Sequence, residues 1–272
     1  MNPTSVDRYC VIGNPIAHSK SPQIHAAFAA QLGQQLRYER CLAPLDGFAA
    51  TVRSLVAQGY KGANVTVPFK IEAAHLATRL TERARAAGAV NTLSFIDDAI
   101  VGDNTDGPGL VADIVRNAGV ALAHRRILLL GAGGAARGVM LPFLLERPAS
   151  ILVANRTLAT AEALAAQFGG HAVPVAACGF GDIEGPYDIV VNATSSSLSA
   201  QMPPVPASAF AEGTLALDMM YGSEPTPFMV FAAAQGAVTR DGLGMLVEQA
   251  AEAFAVWRGV RPDTAEVFNQ LR

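Results

Sequence analysis

Residues 127–138 read ILLLGAGGAARG. An apolar run ends in Gly131, Gly133 and Ala136 at the spacing G-x-G-x-x-A, and a helix-compatible sequence follows at once. Strand, tight turn and helix start in that order predict a βαβ unit that seats a dinucleotide pyrophosphate. Gly131 permits the turn, Gly133 lets the backbone approach a phosphate, and Ala136 stands where a third glycine often packs helix on strand. The helix start supplies unpaired N–H groups and positive dipole to an anion. Gly131, Gly133, Gly134 and Ala135 are therefore the expected phosphate-side positions. The structural alternative is a Gly-rich turn that only packs helix on strand, and the flanking strand and helix argue against it. The motif begins near the middle of 272 residues. Another domain must precede it, and substrate should be handled there.

Upstream of the motif, strand-like and helix-like segments alternate. Tyr9–Ile12, Leu36–Leu42, Gly62–Val67 and Ala89–Ile96 read as strands. Ser21-Pro22 looks like an N-cap with proline at the first helical position, opening a helix to about Leu32. A second helix starts at Pro44 and ends near Gly59, and short helical pieces cover Ile71–Leu76 and Thr81–Ala87. Val101–Pro108 reads as a polar, Gly-rich loop. Downstream, Leu110–Ala118 is a connecting helix. Strands at Arg126–Leu130, Ile151–Ala154, Asp188–Val191 and Leu215–Leu217 alternate with helices at Gly134–Leu145, Leu158–Phe168 and Pro225–Gln235. Residues 195–206 are Ser- and Pro-rich and read as loop. Leu243, Leu246, Val247, Ala250, Phe254 and Trp257 recur at helical spacing and define a last major helix, expected to return to the first domain. The fold class is α/β: an N-terminal, mainly parallel α/β substrate domain plus a Rossmann-type dinucleotide-binding domain. The expected division is 1–106, completed by 243–272, and 107–242.

Composition narrows the function classes. Hydrophobic residues make up 51% and charged residues 16%, enough for two cores and against disorder. A net charge of −3 with interspersed signs gives no basic surface for nucleic acid or an anionic membrane. No apolar run approaches membrane-spanning length, and residues 1–13 lack the pattern of a secretory signal. Cys10, Cys41 and Cys178 are odd in number and far apart, so reduced thiols in a cytoplasm are expected. The five histidines show no HExxH or Cys/His spacing, so no metal is expected.

The second strand of the dinucleotide unit ends in Asn155-Arg156-Thr157. An NAD site usually carries Asp or Glu near this point for the ribose 2′-hydroxyl, and none is present. Arg156 instead offers a guanidinium to a 2′-phosphate, which favours NADP. The alternative is a solvated Arg156 beside a plain Thr157 N-cap.

Four stretches gather small polar and charged groups at the ends of predicted strands: Gly13-NPIAHSKSP to Pro22, Asn64-VTVPFK to Lys70, Ala89-VNTL to Leu93, and Gly102-DNTDG to Gly107. Ligands sit at such an edge of an open α/β sheet. With the glycine motif, Asn192-Ala-Thr-Ser and Asp241-GLGMLVEQA to Ala250, this set closely resembles the shikimate dehydrogenase family, almost end to end and in the same motif order. The resemblance implies reversible reduction of 3-dehydroshikimate to shikimate by NADPH in aromatic amino-acid biosynthesis. It implies that Lys70 and Asp106 are the catalytic pair. It implies that Ser19, Ser21, Thr66, Asn91, Tyr221 and Gln249 hold the substrate carboxylate and hydroxyls. Asn155, Arg156 and Thr157 match adenosine-phosphate contacts, and Met219 and Gly242 match positions near the nicotinamide. One position departs. Many members carry a second arginine one turn after Asn-Arg-Thr, and here it is Thr160, which weakens the expected NADP preference.

Hydride transfer to a ketone builds negative charge on oxygen, which must then receive a proton. A lysine ammonium can stabilise that oxygen and donate; arginine hardly gives up its proton. The chain has 17 arginines and only three lysines, so Lys70 goes against its own habit. Each site residue also has a structural reading. Lys70 could be a surface residue after a strand, and Asp106 an Asx-turn residue. Ser21 could be an N-cap, and Asn91 and Thr66 could satisfy backbone at strand ends. Tyr221 could be packing with a wet hydroxyl, and Gln249 an exposed helix residue. The alternatives in function are an NAD-using quinate/shikimate dehydrogenase and a non-catalytic NADP-binding protein. The expected partners are small molecules, with no nucleic acid and no membrane, and the protein is expected to be a monomer or homodimer.

Overall fold

A computed structural model describes residues 6–194, 196 and 201–271. The chain folds as two compact units: residues 1–109 with 247–272, and residues 110–246.

The first unit is built on a six-stranded sheet of order β2-β1-β3-β5-β6-β4. Its strands are β1 (Asp7–Gly13), β2 (Leu36–Leu42), β3 (Gly62–Val65), β4 (Arg79–Leu80), β5 (Thr92–Ile96) and β6 (Ala99–Asp103). Pairs β1–β2, β1–β3 and β4–β6 are parallel; β3–β5 and β5–β6 are antiparallel. The expected loop at Val101–Pro108 is wrong. Its first residues form β6, and Ile96 pairs with Ala99 across a two-residue turn whose Asp97 takes φ 51°. The third strand also stops at Val65, two residues short of its expected end.

Helices α1 (Ser21–Gln31), α2 (Phe48–Ala57), α3 (Lys70–Leu76) and α4 (Glu82–Ala87) connect these strands. On one side of the sheet, Phe48 stacks on Phe69 at 4.9 Å within a core that includes Ile12, Val52, Val65 and Leu93. A second aromatic group joins His25 and Phe28 of α1 to Tyr38, Phe254 and Trp257. The last two lie on the long helix numbered α9 below. Trp257 Nε1 donates to the Leu93 carbonyl at 3.1 Å, so this helix from Val247 onward is part of the first unit.

The second unit holds a six-stranded sheet, order β12-β11-β10-β7-β8-β9, in which every pair is parallel. Helix α5 (Asp106–Ala112) opens before it and runs on as a wider turn over Asp113–Asn117. The strands are β7 (Arg126–Leu130), β8 (Ser150–Ala154), β9 (Val175–Cys178), β10 (Ile189–Asn192), β11 (Leu215–Asp218) and β12 (Val238–Arg240). Between them run α6 (Gly134–Leu145), α7 (Leu158–Gln167) and α8 (Pro227–Ala234); α9 (Leu243–Arg258) and α10 (Ala265–Leu271) close the chain. Strands β9 and β12 were not read from the sequence. The Ser- and Pro-rich reading of 195–206 lies partly outside the described residues, at 195 and 197–200. No helix among the described residues is long and apolar enough to cross a membrane.

Candidate active site

Strand direction explains why four separated stretches meet. In the first unit, β1 and β3 are parallel, so their carboxyl ends lie on one edge of the sheet. Strand β5 runs the other way, which places its start beside the end of β3, with Asn64 opposite Thr92. Strand β6 reverses again, and Thr92 pairs with Asp103. The ends of β1, β3 and β6 and the start of β5 therefore share an edge. Lys70 follows β3, Asn91 precedes β5, and Asp106 follows β6. Backbone bonds lock them together: Val65 N–H donates to the Asn91 carbonyl at 2.8 Å, Asn91 N–H to Asp103 at 3.0 Å, and Val90 N–H to Lys70 at 2.8 Å.

Lys70 Nζ lies 2.6 Å from Asp106 Oδ2. Both side chains are partly exposed, 32% and 15%. Asn91 is buried and is the hub of the site. Its Nδ2 donates to Asp106 Oδ1 at 2.9 Å and lies 3.0 Å from Thr105 Oγ1 and 3.3 Å from Gln249 Oε1. Its Oδ1 accepts from Thr105 N–H at 2.8 Å and from Thr92 Oγ1 at 2.9 Å. Asp106 N–H donates to Asn104 Oδ1 at 3.1 Å, so Asp106 does sit in an Asx turn, and its carboxylate still reaches Lys70. The structural and functional readings of Asp106 are compatible.

Behind this loop, Arg83 forks onto Asp103 with two bonds of 2.7 Å and reaches Glu252 at 2.8 Å. Asp103 Oδ1 also accepts from the Asn104 backbone at 2.7 Å and from Thr81 Oγ1 at 2.6 Å. The paired guanidinium and the other donors hold the Asp103 carboxyl below its usual range although burial pushes it up.

Ser21 is the first residue of α1, and its cap position falls to Lys20, which makes no side-chain cap. The N-cap reading of Ser21 is thus overturned. Ser19 Oγ donates to Ser21 Oγ at 3.2 Å and accepts from Ser21 N–H at 3.3 Å, so the two hydroxyls are neighbours. Arg40 holds the Ser19 carbonyl at 2.6 Å. Thr66 follows β3, its N–H bonded to Ile12 at 2.9 Å. Gln249 is buried rather than exposed, because Gly109 packs against its backbone on one side and its amide faces Asn91. Asn64, Thr92 and Thr105 complete the polar floor. They were not singled out beforehand, since only β-sheet register shows that they converge; the density of Asn and Thr at strand ends was the available signal.

In the second unit, β7 has β8 on one side and β10 on the other, so the chain changes direction across the sheet between β7 and β10. Ligands sit at the carboxyl ends of strands beside such a switch. Gly131 lies there with φ 100°, and a Cβ on it would meet Thr194 and Ala193 at 3.1–3.3 Å. Gly133 and Gly134 differ: a Cβ on either would have no protein atom within 4 Å. Packing against the rest of the protein does not require glycine at these positions. Helix α6 starts with no capping side chain and no acidic residue in its first turn. Its first N–H groups and dipole are thus suited to a phosphate.

Arg156 is exposed at the end of β8, next to Asn155, whose Nδ2 donates to the Thr157 carbonyl at 3.0 Å. Thr157 is the N-cap of α7 by position but makes no side-chain cap. Gly242 and Met219 are pressed together, and a Cβ on Gly242 would collide with the Met219 carbonyl. Asn192 Oδ1 accepts from Thr194, and its Nδ2 donates to buried Asp218 at 3.1 Å. Asp218 in turn accepts from Met220 N–H at 3.0 Å, bracing the turn that carries Met219. Asp218 was missed because a buried aspartate ending an apolar strand carries no sequence signal. Tyr221 is exposed after β11 in this second unit. Among the described residues, no cluster of His, Cys, Asp or Glu could hold a metal ion.

Comparison with known proteins gives three family matches along the chain. Residues 11–93 match the shikimate dehydrogenase substrate binding domain, 113–202 match shikimate / quinate 5-dehydrogenase, and 242–272 match the shikimate 5'-dehydrogenase C-terminal domain. A protein from Janthinobacterium sp. (strain Marseille), "Shikimate dehydrogenase (NADP(+))", is 61% identical over 269 residues, covering 99% of this chain and 98% of that protein. The crystal structure of an Ael1 enzyme from Pseudomonas putida superposes with a TM-score of 0.94 at 52% identity, covering 97% of this chain and 98% of the other. The Thermus thermophilus shikimate 5-dehydrogenase, crystallised with NADP(H) and shikimate, has a TM-score of 0.86 at 32% identity, with 97% of each chain covered.

Proposed function

The chain belongs to the shikimate dehydrogenase family, and from that premise we infer that it catalyses reversible, NADPH-dependent reduction of 3-dehydroshikimate to shikimate, an oxidoreductase step of aromatic amino-acid biosynthesis. The observation that carries the reading is the 2.6 Å pair of Lys70 and Asp106, held by Asn91 at the edge of the first unit's sheet. NADPH, when bound, supplies the hydride that adds to C3 of the ketone. Lys70 then has two tasks at the C3 oxygen. Its ammonium stabilises the negative charge that develops there, and it gives that oxygen a proton. In the oxidative direction it takes the proton back. Asp106 Oδ2, 2.6 Å away, holds the Lys70 amine in position.

Substrate orientation falls to the groups around this pair. The neighbouring hydroxyls of Ser19 and Ser21 suit the substrate carboxylate, next to the start of α1. Thr66, Asn91 and Gln249 offer hydroxyl and amide partners to the ring hydroxyls, and Tyr221 is assigned to the same substrate. Gly131, Gly133, Gly134 and Ala135 fit the pyrophosphate of NADP. Asn155, Arg156 and Thr157 fit its 2′-phosphate end, and Met219 and Gly242 its nicotinamide end. The open space at Gly133 and Gly134 and the cation at Arg156 support this placement. We further propose a cytoplasmic enzyme that works as a monomer or homodimer, a setting that suits the three free cysteines.

The test is direct. Purified protein is mixed with shikimate or quinate and with NADP or NAD, and reduced nicotinamide is followed by absorbance. Fast turnover confined to shikimate with NADP is expected. Comparable turnover with quinate or NAD would move the chain to the quinate-using branch, and no turnover in any mixture would overturn the enzymatic reading.

A further inference from the structure

Two backbone groups fix the sense of a hydrogen-bond chain that starts well away from the reacting pair. Asn91 Oδ1 lies 2.8 Å from Thr105 N–H, which can only donate. That atom is therefore the carbonyl oxygen, and Nδ2 faces Asp106 Oδ1. Asn64 Nδ2 lies 3.2 Å from the Asn91 backbone carbonyl, which can only accept. The Asn64 amide is fixed in turn, and its Oδ1 faces Tyr38 Oη at 2.6 Å. An oxygen with no proton makes Tyr38 the donor. Thr92, fully buried, has one hydroxyl proton: Oγ1 accepts from Asn64 Nδ2 at 3.1 Å, donates to Asn91 Oδ1 at its shorter contact of 2.9 Å, and also lies 3.3 Å from Thr105 Oγ1.

Every proton between Tyr38 and Asp106 thus points the same way, through Asn64, Thr92 and Asn91. Aligned hydrogen bonds polarise one another, and the middle of this chain, Asn64, Thr92 and Asn91, is buried. Burial pushes the Tyr38 phenol well above its usual value, with the nearby Ser21 hydroxyl a smaller opposing influence, so Tyr38 keeps its proton. Its ring is clamped as well, stacked on His25 at 4.1 Å and 6°.

We propose that Tyr38 is a positioning residue for the reaction, whose hydroxyl locks the Asn64 amide and, through Thr92, keeps Asn91 Nδ2 on one oxygen of Asp106 so that the other stays with Lys70. The proposal rests on the assignment of Lys70 and Asp106 as the catalytic pair. Without the Tyr38 hydroxyl, Asn64 Oδ1 is a buried acceptor that loses its partner. Turning that amide over to relieve it would set oxygen against the Asn91 carbonyl.

The experiment compares Tyr38→Phe, Thr92→Val, the double variant and Thr92→Ser in shikimate oxidation by NADP, alongside Lys70→Ala and Asp106→Asn. Tyr38→Phe keeps the ring on His25 and removes only the hydroxyl. It is expected to lower kcat by roughly 3- to 10-fold with less than about two-fold change in KM for shikimate. Thr92→Val should do the same, and the double variant should fall no further than either alone, since one broken link already ends the chain. Thr92→Ser, which retains the hydroxyl, should recover most of kcat. Thermal midpoints measured on the same samples separate this from a purely structural role, which would lower the midpoint and leave kcat per folded enzyme intact. Wild-type kcat in Tyr38→Phe, additive losses in the double variant, or a rise in KM alone (an effect at Ser21) would overturn the proposal. If Lys70→Ala and Asp106→Asn keep wild-type kcat, the catalytic assignment itself has failed. If they collapse while Tyr38→Phe does not, only the positioning role has.

Discussion

Lys70 Nζ and Asp106 Oδ2 stand 2.6 Å apart although 36 residues separate them in sequence. Neither lies in a strand. Lys70 opens α3 just after β3 and Asp106 opens α5 just after β6, so the pair depends on the antiparallel β5–β6 hairpin that returns the chain to the edge where β3 ends. An amine held this way is poised to meet a substrate oxygen. Lys70→Ala should therefore lower kcat by roughly 10²–10⁴ with a smaller change in KM, as loss of an acid–base group does. Steady-state kinetics of shikimate oxidation check it, and a wild-type kcat would remove Lys70 from the mechanism.

The adenosine end of the cofactor site tests the role of charge. Arg156 is an exposed cation at the end of β8, with no carboxylate on that strand end. Arg156→Ala should raise KM for NADP about tenfold or more and leave NAD nearly unchanged, because only NADP carries the extra phosphate. Thr160 lies one turn further along α7, and Thr160→Arg should lower KM for NADP by adding a second guanidinium. Equal effects on both cofactors in either variant would show that these positions do not read the 2′-phosphate.

The sequence was most legible where local chemistry and tertiary pairing agree. Leu36–Leu42, Arg126–Leu130 and Gly134–Leu145 are found at the bounds their patterns predict, since apolar runs and a Gly-rich turn decide them locally. It misled at Val101–Pro108, where Gly102 and Asp103 look like loop residues. In the structure Gly102 is packed against Val90, Leu80 and Ala77, and Asp103 is neutralised by Arg83, so both are affordable in a strand. Short edge strands such as Val175–Cys178 and Val238–Arg240 exist by pairing with a longer neighbour and leave too little pattern to read. Of the site residues marked by motif, Lys70 and Asp106 follow the ends of β3 and β6, whereas Asn91 precedes the start of β5 and Gln249 lies on α9. The residues that orient them, Tyr38, Asn64, Thr92 and Asp218, come from strands whose order in the sheet no local pattern reveals.

Arg83 ties three parts of the first unit together: α4 through its own backbone, the end of β6 through Asp103, and α9 through Glu252. Glu252 also pairs with Arg261, which reaches Glu248 at 2.7 Å. Removing Arg83 leaves a carboxylate at Asp103 that is only 7% exposed and short of its counter-charge. Arg83→Ala should cost about 3 kcal/mol of stability, the scale for breaking one side of a buried ion pair. Urea unfolding followed by far-UV circular dichroism gives the shift in midpoint. A change below about 1 kcal/mol would show that solvent or a neighbouring cation replaces the guanidinium.

His25 carries the last prediction, through pH. It is 1% exposed, and neither ring nitrogen has a partner in hydrogen-bonding geometry. Its neighbours are aromatic: Tyr38 stacked on one face, with Phe28, Phe254 and Trp257 around it. Burial lowers its pKa to about 3, and the nearby Asn64 amide offsets only part of that. In the unfolded chain the ring titrates near its ordinary value of 6.5. Between those two values the unfolded state holds a proton that the folded state refuses. Stability therefore falls as pH drops from 6.5 toward 3, and His25 has no such effect above that window. The slope approaches ~1.4 kcal/mol per pH unit, or about 2 kcal/mol by pH 5. His25→Phe keeps an aromatic ring in the stack and removes the titration. Urea midpoints at pH 7.5 and 5.0 should fall more for the wild type than for this variant. Equal falls would mean that the folded protein protonates His25 as readily as the unfolded chain does.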